Sequence, residues 1–234
     1  MKLKNKKATH VEEIISFVFF LTFVFFLVFF LKYPNSNSNL KSTLDSFEIS
    51  VNNQTAENIM KVYITNTSTK TSENCIMINE SYLGTSSINV SVKGSDGSDV
   101  SSKRDSGKLY IEWNSEKSFF VAYYSKYNFS SAELSGTLTC QNGNVKAVIS
   151  NNIFIEQKIT EFLNKIASNY SKTRDLLGIS SKYDYNVQFD YNNKTRIGKN
   201  IKDVNEEIYV REKLVEYLDT NANEKTGKII IYIW

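Results

Sequence analysis

The chain of 234 residues holds one histidine, His10, and two cysteines, Cys75 and Cys140. That inventory excludes much of the chemistry side chains can do. Ser/His/Asp and Cys/His catalysis need an imidazole base beside the nucleophile, and none is available after residue 10. A zinc site built from His and Cys lacks ligands, and no glycine-rich phosphate loop occurs. Three acidic groupings remain. "DTNANE", 219–224, places Asp219, Asn221 and Asn223 as a calcium loop begins. Glu224 stands where that loop needs glycine, however, and Ile230 where it ends in glutamate, so a hairpin turn is expected. Asp96 and Asp99 of "SDGSD" (95–99) are expected in a solvated loop. Glu206 and Glu207 are adjacent on an expected strand and therefore point to opposite faces. The expectation is a protein with no catalytic residues, cofactor or metal, and not an enzyme.

The cysteines and asparagines point to a compartment instead. Cys75 and Cys140 each fall in an expected strand. Outside a membrane such a pair can oxidise, closing a loop of about 66 residues and stabilising by roughly 4 kcal/mol in the chain-entropy model. A bridge between the two layers of a β-sandwich is the expected geometry. Asn53, Asn66, Asn79, Asn89, Asn128, Asn169 and Asn193 each begin an N-x-[ST] sequon, making them candidate N-glycosylation sites. Their number is only slightly above what the Asn, Ser and Thr content gives by chance.

The most informative stretch is "KKATHVEEIISFVFF", Lys6 to Phe20. Two adjacent carboxylates, Glu12 and Glu13, stand at the mouth of an apolar segment, a costly place for charge. Ile14 to Leu31 is uncharged, contains eight phenylalanines, and has Ser16 and Thr22 as its only polar members. As a helix it spans roughly 27 Å, close to the hydrocarbon thickness of a bilayer. The lysines before it put the N-terminus in the cytoplasm and everything after Tyr33 outside. A secretory signal cut after the Ser36/Ser38 pair, an ordinary single-pass anchor and a buried soluble helix are the alternatives. Lys2, Lys4, Lys6 and Lys7 outnumber the formal net charge of +3, so the rest of the chain is near neutral, which argues against a nucleic-acid partner.

The order of basic pair (Lys6, Lys7), small residue (Ala8), acid five positions further (Glu13) and apolar run resembles the class III signal of archaeal type IV pilins and archaellins. That resemblance implies cleavage between Ala8 and Thr9 by a membrane prepilin peptidase, with the helix retained. It also implies that Glu13 pairs with the new amino group of Thr9 on a neighbouring subunit when the helices bundle with other pilin-like subunits. An acid in the first turn then complements the helix dipole. Ala8 departs from the glycine common in the family, and Glu12 has no counterpart there.

The elements beyond the helix follow from hydropathy period. Residues 34–44 are expected to form a polar linker. Period-two runs at 46–51, 59–65, 74–79, 87–92, 108–113, 118–124, 136–140 and 145–150 predict an antiparallel, immunoglobulin-like β-sandwich over 45–152. "QNGN" (141–144) is expected as a hairpin turn and 93–108 as a long polar loop. From 153 to 234 a small α+β unit is expected: a helix ending near Leu177 with Gly178 as its cap, then strands at 185–191, 206–218 and 227–234. This C-terminal layout is similar to that of pilin-like proteins from small-genome archaea. The whole reads as a basic leader (1–8), an apolar membrane or filament-core helix (9–33) and an extracellular β-rich region. It would sit in a lipid bilayer or a filament, with no identified surface ligand.

Overall fold

Apolar side chains every three to four residues carry the helices. The structure, a computed structural model, describes residues 6–32, 36–66, 73–81, 89–113, 119–136, 138–192, 196–198 and 207–234, without the side chains of 6–12, 29–32 and 36–39. Helix α1 spans Lys6–Lys32 and α2 spans Ser36–Thr55. The chain divides into two units, Met1–Asp45 and Ser46–Trp234. The expected linker and the expected strand at 46–51 are thus corrected, since both lie in α2 from Ser36 onward. In the second unit, Phe47 and Val51 of α2 are buried and Ile49 is exposed, as a helix places them.

The second unit is mainly β. Its strands are β1 (Ala56–Asn66), β2 (Cys75–Asn79), β3 (Asn89–Gly94), β4 (Asp99–Val100), β5 (Ser102–Asp105), β6 (Lys108–Glu112), β7 (Phe119–Ser125) and β8 (Cys140–Ile155). After α3 (Glu156–Ser168) and α4 (Tyr170–Leu177) come β9 (Tyr185–Asp190), β10 (Arg196–Ile197), β11 (Tyr209–Leu218) and β12 (Glu224–Ile233). Along one path the sheet runs β10-β9-β12-β11-β8-β1-β7-β3-β4, and β2, β6 and β5 branch from β8. It is mixed, not purely antiparallel, because β8 pairs in parallel with β2 at one end and with β11 at the other.

β8 accounts for most of the differences from expectation. Residues 141–144 are not a turn but part of this one 16-residue strand; of the expected strand at 136–140, residue 137 lies outside the described residues, and Gly136, Leu138 and Thr139 are not in a strand. The expected boundary at 152/153 falls inside β8, so the residues on either side of it lie in one unit and share one sheet. The loop expected at 93–108 contains β4 and β5.

Two of the buried clusters among the described residues lie on the strands of this unit. One gathers Val62 and Ile64 of β1, Ile76 and Ile78 of β2, Leu109 and Ile111 of β6, and Phe120 and Ala122 of β7. The other joins Ile59, Tyr123, Phe129, Ile153 and Ile155 to Leu218 and Ala222. β12 is apolar on both faces and is buried accordingly, with Ile229, Ile230, Ile231 and Ile233 inside. α3 buries Ile159, Phe162, Leu163 and Ile166 at helical spacing. Where one helix was expected, Asn169 leaves helical dihedrals and its side chain caps α4 by accepting from the Lys172 N–H. Gly178, at φ 69°, closes α4 in the left-handed conformation.

Candidate functional site

Helix α1 is the feature with an unexplained surface. Ile14, Ile15, Phe17, Val18, Phe19, Phe20, Phe23, Phe25, Phe26 and Val28 are all exposed, on every side of the helix. Thr22 sits among them with its hydroxyl donating to the carbonyls of Val18 and Phe19, at 2.8 and 2.9 Å. The helix satisfies its own polar group there, which suits an apolar surrounding. Among the described residues no helix is long and apolar enough to cross a membrane. The side chains described along α1 run only from Glu13 to Val28, short of the roughly 18–20 residues a span requires. The side chains of Ala8, Thr9, His10 and Glu12 lie outside the described residues. Because α1 begins at Lys6, Glu13 lies two turns in, so the first-turn dipole argument applies only to a helix that starts at Thr9.

The cysteines are bonded to each other. Cys75 of β2 and Cys140 of β8 stand directly opposite in parallel register, with Cα atoms 4.4 Å apart. The bridge therefore joins two hydrogen-bonded neighbours instead of crossing between layers.

The sequons differ in access. Asn79, Asn128 and Asn169 are exposed, as are their partners Ser81, Ser130 and Ser171. Asn53 and Asn89 are exposed, but Thr55 and Ser91 are buried. Asn66 is half-buried, and Asn193 lies outside the described residues.

The β11–β12 turn takes up the acidic grouping at 219–224. Asp219 accepts from the backbone N–H groups of Asn221 and Asn223, both at 2.9 Å, and pairs with Lys225 at 2.6 Å. Burial raises the Asp219 pKa, but the bonds from Lys225 and Asn223 outweigh it, so the carboxyl stays below its ordinary range. Its oxygens are spent on the turn itself, the hairpin reading of this segment. The turn docks on the outer face of β1, β7 and β3. Glu224 accepts from Lys61 and from the Tyr123 hydroxyl, and Asn223 accepts from Lys93 at 2.8 Å. Burial and the Glu224 charge push the Tyr123 phenol well up. Asp99 pairs with Lys93 and Asp96 accepts from Ser98, so these two do not converge. Glu207 is exposed, while Glu206 lies outside the described residues. Among the described residues no three His, Cys, Asp or Glu side chains group as metal ligands.

Buried Lys61, Lys93 and Glu80 were not anticipated. Glu80 accepts from Tyr124 at 2.7 Å and from Arg104 at 2.8 Å. Each side chain meets its charged or hydroxyl partner, an arrangement that fixes strands without offering an open reactive group. No protein-family model, characterised protein or solved structure matches the chain.

Proposed function

We propose that the chain is a membrane-inserted, pilin-like cell-surface protein, a minor or specialised subunit of a type IV pilus-like filament. The observation that carries this reading is the apolar surface of α1, exposed on all sides from Ile14 to Val28. A patch of that size marks a membrane or protein-contact surface. The sequence continues apolar through Phe29, Phe30 and Leu31 in the same helix, which extends the run to roughly 27 Å. Cleavage between Ala8 and Thr9 makes Glu13 the fifth residue. Its carboxylate then pairs with the Thr9 amino group of a neighbouring subunit, so neither charge enters the bundle alone.

The lysines of the leader hold the N-terminus in the cytoplasm, which places Ser46–Trp234 outside the cell or along a filament. There the β-rich unit, which we read as an immunoglobulin-like sandwich made by one sheet folding back on itself, has a structural or binding role and no catalysis of its own. Its partners are a prepilin peptidase, lipid and other pilin-like helices. An outside location suits the Cys75–Cys140 bridge and makes Asn79, Asn128 and Asn169 the sequons best placed for glycans.

N-terminal sequencing of the native protein tests the reading. A chain beginning at Thr9 is expected. A start at Met1 would replace it with a single-pass anchored adhesin or binding protein, and a start near Asn39 with a secreted one. In the same cells Glu13→Ala should lose filament incorporation, and normal incorporation would sink the charge pairing.

A further inference from the structure

We draw no further inference here: the strongest candidate, the edge of β8 between Gly143 and Ile153, which no second strand pairs among the described residues and where Val148 and Ile149 are exposed, carries nothing because no feature of the structure shows what covers it.

Discussion

Gly143 lies within β8, where an added Cβ would stand 2.5 Å from Ile76 Cγ2, 2.9 Å from Ile78 Cγ2 and 3.3 Å from Ile64 Cγ2. The sequence offers Asn142-Gly143 as a turn, and a glycine alone does not distinguish a left-handed turn from a strand that another strand must approach closely. Here close approach is the reason: the missing side chain lets β2 lie against β8 inside the first cluster. Gly143→Ala should therefore destabilise the unit by about 1–3 kcal/mol through overpacking. A lowered urea midpoint would show it, and an unchanged midpoint would mean the isoleucines yield freely. The buried lysines were hidden for a different reason. In "NIMKVYIT" Lys61 alternates with core residues, so strand period alone assigns it to the solvent face. What covers that face is the 219–224 segment, more than 150 residues away in sequence, and local pattern carries no such information. Glu224→Gln removes the charge facing Lys61, which is 8% exposed. A loss of roughly 1–2 kcal/mol is expected, less than for a fully buried pair because Glu224 is about half in water. Equal stability of the variant in urea titration would show the pair to be neutral.

At the scale of elements, most strands were legible because at least one face of each is buried, which leaves an alternating run or, as in β12, a continuous apolar one. α2 was not, because "SFEISV" satisfies two periods at once. Phe47, Ile49 and Val51 alternate as in a strand, whereas Leu40, Leu44, Phe47 and Val51 recur at helical spacing. Only a window reaching back through the polar "NSNSNLKS" separates the two, and there the serines and asparagines imitate a linker. The structure decides for the helix, with Ile49 60% exposed and Phe47 packed edge-on against Tyr185 at 5.5 Å. Glu48, one residue further along the helix, accepts from Lys213 at 2.7 Å and Arg211 at 3.0 Å on β11. The Lys213 bond, more than offsetting burial and joined by Arg211, holds the Glu48 carboxyl below its ordinary value. A depressed folded-state pKa adds stability that is complete above the unfolded value and disappears as pH falls through the folded one. Glu48→Gln should thus lower stability by about 1 kcal/mol at neutral pH. That difference should shrink as the pH drops below roughly 4. Denaturant titrations of both proteins across that range provide the check, and a pH-independent difference would assign the loss to packing.

For the whole molecule, β8 and the disulfide explain why two expected domains are one. β8 begins beside β2, crosses to pair with β1 along most of its length, and ends beside β11. A sequence reading that ends a strand at each Asn-Gly cannot see a continuous strand tying both halves together. The cysteine pairing was legible because the chain holds only two cysteines, each in an expected strand. Its geometry was not, because register between strands 65 residues apart is set by the fold and not by the chain nearby. The bridge clamps β8 at its start, the end farthest from the α3 connection, so its loss releases the strand that both clusters share. Replacing both cysteines with serine in the full chain should cost about 4 kcal/mol in the chain-entropy model. In a body of this size that lowers the unfolding midpoint by about 10 °C. Cys75 is fully buried, so the native protein should show no free thiol and resist mild reductant until denaturant opens the strands. Rapid titration of two free thiols in protein taken directly from cells would contradict the bridge. It would also remove one support for an outside location, since a reducing compartment keeps such a pair open.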